Sequence, residues 1–116
     1  MLQIREQVGP FTTVLTFTGQ LELESIIGIK ALILGTKEQG CQHVILDFSG
    51  ISGISGFGLA QLFLWYQEMK PHYLHISIVN PSSPIQEVLE RPPFSGIVPV
   101  FASQEEAIKY QNASST

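Results

Sequence analysis

The chain has 116 residues, the size of a single domain that can close one core without disulfide or metal staples. Hydrophobic residues make up 44% and charged residues 14%, with a formal net charge of −4, which suits a surface covered by a protein partner. The six basic residues (Arg5, Lys30, Lys37, Lys70, Arg91, Lys109) are scattered, which argues against nucleic acid as the ligand, and a lone Cys41 excludes an intramolecular disulfide and favours a reducing compartment.

Leu2, Ile4 and Gln7-Val8 alternate like a first strand that ends at Gly9-Pro10. This start lacks the basic-then-apolar pattern of a leader, and no apolar run reaches membrane-span length. A cytoplasmic protein without direct membrane insertion is expected. Phe11 to Phe17, rich in β-branched and aromatic residues, predicts a second strand paired with the first as a hairpin. Thr18 to Glu22 then reads as a loop. Ser25 is a candidate cap for a first helix carrying Ile26, Ile29, Leu32, Ile33 and Thr36 on one face, stopped at Gly40. His43 to Phe48 predicts a strand buried on both faces.

A glycine-rich loop follows, and then a second helix from Gly58 to Met69 with Leu59, Leu62, Phe63 and Tyr66 on one face, ended by Lys70-Pro71. Leu74 to Val79 predicts a strand closed by Asn80-Pro81, and Pro84 suits the first turn of a short third helix through Glu90. Ile97 to Phe101 predicts a last strand. Ser103 and Glu106 form a capping box for a final helix. The order β-β-α-β-α-β-α-β-α implies an α/β fold with a mostly parallel central sheet and an antiparallel N-terminal edge strand. One domain over residues 1–111 with a flexible tail at 112–116 is expected.

The most informative stretch is Val44-Ile45-Leu46-Asp47-Phe48-Ser49-Gly50 through Gly58-Leu59. Four glycines between a strand and a helix N-terminus make a loop that another backbone or a partner can approach closely. The stretch resembles the STAS domain family, which includes bacterial anti-sigma factor antagonists. In that family an apolar strand leads into Asp-Leu-Ser-Gly and, a few residues later, Asp-Ser-Ser-Gly-Leu. Asp47-Phe48-Ser49-Gly50 and Gly58-Leu59 fit this pattern, and Ser55-Gly56-Phe57 replaces its Asp-Ser-Ser. Gly19-Gln20-Leu21-Glu22, Val79-Asn80-Pro81-Ser82 and the segment from Phe94 through Ala107 also match in order.

The resemblance implies a non-enzymatic, cofactor-free regulatory domain that binds a protein, either a serine-kinase-like anti-sigma factor ATPase or subunits of a lipid-transport ABC complex, with a homodimer open. It implies a partner surface formed by Leu21, Glu22, Gly53, Ser55, Gly56, Phe57, Gly58 and Gln61. In the family the first serine of Asp-Ser-Ser accepts a phosphate from the partner kinase, which breaks or reshapes the complex. Gly56 stands there and has no hydroxyl.

Three readings of Ser55 remain: a cap for the following helix, a relocated phosphoacceptor (as for Ser52), or a nucleophile. The last lacks the closing glycine of Gly-x-Ser-x-Gly and an acid–His pair. Phe57 reads either as a core residue or as an exposed anchor, and of Trp65 and Tyr66 one is expected to be exposed. His43, His72 and His75 lack metal-ligand spacing. The glycines do not complete a P-loop, since Leu59-Ala60 stands where Lys-Ser/Thr is required.

Overall fold

A computed structural model describes residues 2–9, 11–69 and 75–114. Five strands form one sheet in the order β1-β2-β3-β4-β5: β1 (Leu2–Val8), β2 (Thr12–Leu21), β3 (His43–Ile54), β4 (His75–Val79) and β5 (Val100–Phe101). The helices are α1 (Ser25–Glu38), α2 (Gly56–Met69), α3 (Ser83–Leu89) and α4 (Gln104–Ser114). β1 pairs antiparallel with β2, and the other pairings are parallel. The expected order and architecture therefore hold.

The strands from β2 onward lie in chain order, so right-handed crossovers put α1, α2 and α3 on one face. Leu15 and Phe17 of β2, Val44, Leu46 and Phe48 of β3, and Ile76 and Ile78 of β4 point to that face. They pack against Ile29 and Ile33 of α1, Leu59, Leu62 and Tyr66 of α2, and Ile85 and Leu89 of α3. Phe17 meets Phe48 edge to face at 5.7 Å between ring centroids, a favoured aromatic arrangement. On the other face, α4 presses Ala107 onto a smaller cluster of Val14, Ile45 and Val79. His43 to Phe48 is buried throughout, as a strand covered on both sides must be.

The helix signals resolve unevenly. Gly40 ends α1 in the left-handed region (φ 91°), with its N–H on Lys37 O and that of Cys41 on Thr36 O. This is the paired bonding of a Schellman stop. At α4, Glu106 N–H donates to Ser103 Oγ at 3.2 Å and Ala102 N–H to Glu106 Oε2 at 3.2 Å, a reciprocal capping arrangement. Ser25, by contrast, is the first helical residue of α1, and the N-cap, Glu24, makes no side-chain cap bond. The turn is closed by backbone, Ser25 N–H to Glu22 O at 3.0 Å.

Several boundaries differ from expectation. β2 runs on to Leu21 and β3 to Ile54, so Thr18–Leu21 and Ser49–Ile54 are paired strand. β5 is two residues long, because Ile97 lies in a turn (its N–H on Phe94 O) and Val98 is apolar through burial against the core. α4 continues to Ser114, into the stretch expected as tail. The expectations for Pro10, Lys70-Pro71, His72, Leu74 and residues 115–116 fall outside the described residues.

Candidate functional site

The candidate site lies at the C-terminal ends of β2 and β3, the edge of a parallel sheet where α/β proteins usually bind ligands. Its scaffold is an irregular strand pair. Thr16 faces Asp47 and Thr18 faces Gly50, so one residue of β2 opposes two of β3; the register shifts again between Gly19 and Gln20, which face Ile51 and Gly53. These are β-bulges, which re-aim a strand where pairing ends.

The bulges explain the motif residues. The Asp47 carboxylate is buried and accepts the Ser49 N–H at 2.9 Å, beside the shifted ladder. Phe48 fills the core. At Gly50 a Cβ would lie 2.5 Å from the Phe17 carbonyl oxygen, so the close approach of β2 admits only glycine.

Past the bulges, Ser55 N–H donates to Leu21 O at 2.8 Å and ties the helix start to the tip of β2. Ser55 is the N-cap of α2: its Oγ accepts the Gly58 N–H at 3.1 Å, and its carbonyl accepts the Leu59 N–H at 2.9 Å. The capping reading of Ser55 is thus the observed one. It also moves the helix start from the expected Gly58 to Gly56. Gly58 is buried, where a Cβ would come 3.3 Å from Leu23 N, so the missing side chain lets α2 close onto the turn before α1.

Gly56 and Phe57 form the exposed tip, and nothing lies within 4 Å of where a Gly56 Cβ would stand. Phe57 is 65% exposed, so of its two readings the core one fails. Glu22 is exposed on the neighbouring turn, while Leu21 is buried beneath it and Gly53 and Gln61 are half-buried. The structure thus gathers all eight residues around one sheet edge, with Leu21 as support. Ser52 is also exposed there. The first turn of α2 carries no acidic side chain of its own, and Glu22 on the neighbouring turn supplies the site's exposed carboxylate.

Tyr66 is buried, and its hydroxyl pKa is raised mainly by that burial. Trp65 is half-buried under Lys30, whose Nζ lies 5.9 Å from the ring centroid. Leu23 and Ile27, exposed beside the loop, were not singled out from the sequence. The available signal was that Ile27 and Leu34 are apolar, seven apart, and off the buried face of α1.

At the opposite end of the sheet, His43 is buried with Nε2 2.8 Å from Ser77 Oγ and Nδ1 without a partner. Its pKa is lowered to about 4, first by desolvation and then by His75. Among the described residues no three potential ligands cluster as a metal site would require.

The STAS domain family model matches residues 1–107. No curated protein matches the chain. Among solved structures, the anti-sigma factor antagonist SpoIIAA in its unphosphorylated form is 21% identical, with 97% of each chain covered and a TM-score of 0.73. A putative anti-sigma factor antagonist from Thermotoga maritima is 17% identical, with 92% of each chain covered and a TM-score of 0.78. The fold also matches part of the murine anion transporter Slc26a9 at 21% identity and a TM-score of 0.67, covering 92% of this chain and 18% of that one. At these identities the likeness establishes the fold. Together with the family match over nearly its whole length, it places this chain in the STAS domain family.

Proposed function

We propose that this chain is a non-enzymatic regulator of the anti-sigma factor antagonist kind. It binds a kinase-like anti-sigma factor through Glu22, Phe57 and the first turn of α2, and so releases a sigma factor, in a cytoplasmic setting. One observation carries the reading: the exposed first residue of α2 is Gly56, beside an exposed Phe57. An aromatic side chain on a rigid helix start is suited to anchoring a protein contact. A glycine there gives the partner kinase no hydroxyl to phosphorylate, and Ser55 has its oxygen engaged in the cap. Binding is therefore not switched off at the family's usual position.

Capture of the purified chain on its cognate kinase-like ATPase, with and without ATP, tests this. Retention in both, with no phosphate gained, is expected. Phosphate on Ser55 or Ser52 with release would sink the unswitched form, and no capture at all would sink the partner.

A second reading, a STAS subunit of a lipid-transport ABC complex, is favoured by the apolar outer face of α1 and α2, which suits permanent cover. Copurification with a permease and an ATPase instead of the kinase would select it.

A further inference from the structure

The sheet has two edges, and they differ in reach. β5 presents two residues, whereas β1 presents seven, held on their inner side to β2 in one unbroken register. The direction of the outer groups follows from the hairpin. Gly9 N–H donates to Thr12 O at 2.8 Å, so these two form a hydrogen-bonded pair. Such pairs alternate along an antiparallel ladder, which assigns the backbone bonds of Gln7, Arg5 and Gln3 to β2. The N–H and C=O groups of Leu2, Ile4, Glu6 and Val8 therefore point outward from the sheet. A seven-residue edge with neither bulge nor proline keeps few of the features that prevent another strand from joining.

The side chains of the same residues lie on the helix side, where Leu2 and Ile4 pack against the main core. α1 leaves both half-buried. With Glu22, Glu24, Ser25 and Gly28 they line an open groove of about 450 Å³ between β1 and the start of α1. A Cβ at Gly28 would meet nothing within 4 Å, so the α1 wall of this groove stands back from β1. A strand laid along β1 sends every second side chain into it.

The charges beside the groove select its occupant. Glu6, Glu22 and Glu24 are exposed there. At 100° per residue, Lys30 and Lys37 fall roughly 160–180° around α1 from Gly28, and Lys30 lies over Trp65 on that far flank. Arg5 points to the other face of the sheet, where it lines a hollow with Gln3, Thr16 and Thr18. Among the described residues the groove thus has carboxylates and no cation. A second copy fits badly. Antiparallel pairing of β1 with its twin sets Glu6 against Leu2 when centred on Ile4, against Ile4 when centred on Arg5, and against itself when centred on Glu6.

We propose that the free edge of β1 receives an extended segment of a partner protein as an added antiparallel strand. Its apolar residues enter the groove over Leu2 and Ile4, and its Lys or Arg residues meet Glu6 and the Glu22–Glu24 turn. Backbone bonds to Leu2, Ile4 and Glu6 hold it, and the acidic groove sets its sequence. This goes beyond the preceding reading, because it needs neither Phe57 nor a kinase.

The test uses short synthetic peptides of alternating valine and threonine. One carries lysines opposite Glu6 and at the end that reaches Glu22 and Glu24; a second has glutamates in their place. A third is the lysine peptide with N-methyl groups on the amides that face β1. Titration into the labelled chain at low salt is followed by amide NMR and hydrogen exchange. The lysine peptide is expected to shift the β1 amides, to slow exchange at Ile4 and Glu6, and to bind at least about tenfold tighter than either control. Glu6→Pro removes an outward N–H at an exposed edge position, where proline is tolerated, and is expected to abolish binding. Glu6→Gln/Glu24→Gln is expected to keep binding but lose the preference for lysine over glutamate. Phe57→Ser is expected to bind the lysine peptide as the parent does.

Equal binding of the N-methylated peptide, equal binding of the glutamate peptide, shifts confined to residues outside β1 and its groove, or dimerisation through β1 in sedimentation would each overturn the proposal. Failed capture on the kinase-like ATPase with the lysine peptide still bound at β1 would sink the kinase reading and leave this one standing.

Discussion

Ser55 and Gly56 sit side by side at the start of α2, where the family pattern reads Asp-Ser: Ser55 caps the helix and Gly56 offers no hydroxyl. The Ser55 hydroxyl is committed to the Gly58 N–H, so Ser55→Ala leaves that group without its partner. A loss of about 1 kcal/mol in urea-unfolding stability is expected, the usual value of an N-cap. Gly56 points into open space, so Gly56→Ser introduces no clash. It is expected to fold as well as the parent or better by up to about 1 kcal/mol, from reduced freedom of the unfolded chain. It is also expected to acquire a phosphate from the kinase-like partner with ATP, read by mass spectrometry. A Gly56→Ser protein left unmodified by a kinase that binds it would show that more than a hydroxyl is missing.

At the scale of elements, the twin bulges between β2 and β3 hold the site in place. Gly50→Ala drives a methyl onto the Phe17 carbonyl, a backbone atom that cannot swing aside. A fall of roughly 2–4 kcal/mol is expected, in the range of strained or overpacked core changes, measured as a lowered urea midpoint. Element order was legible in the sequence because apolar period, glycine stops and serine caps act locally. Gly40 and Ser103 work as read. The strand tips were not legible: Thr18–Leu21 and Ser49–Ile54 look like loops because their glycines suit turns. Only the neighbouring strand, which needs Gly50 for close approach, makes them a ladder. The exposed Phe57 was equally undecidable, since its side depends on whether α2 starts at Gly56 or Gly58.

For the whole molecule, stability should fall in acid through a residue remote from the site. His43 is held neutral by burial, with its pKa lowered to about 4 against an ordinary 6.5. The unfolded chain takes up a proton below about pH 6.5 that the folded chain refuses until about pH 4, so this contribution is complete at neutral pH and lost across that window. It amounts to about 3 kcal/mol over the full shift, at 1.36 kcal/mol per pKa unit. Urea unfolding at pH 7.5 and pH 4.5 measures it, and His43→Gln is expected to flatten the difference.

Buried His43 lies at the base of the sheet and exposed Phe57 at the top, so Phe57→Ser is expected to change partner binding while leaving the unfolding midpoint within experimental error. The central claim is a docking surface without a phosphorylation switch at its usual place. Native mass spectrometry of the chain mixed with its kinase-like partner, before and after ATP, tests it most directly. A complex that persists and a chain of unchanged mass are expected; phosphate gained on Ser55 or Ser52 with dissociation is the opposite result and would overturn the unswitched reading.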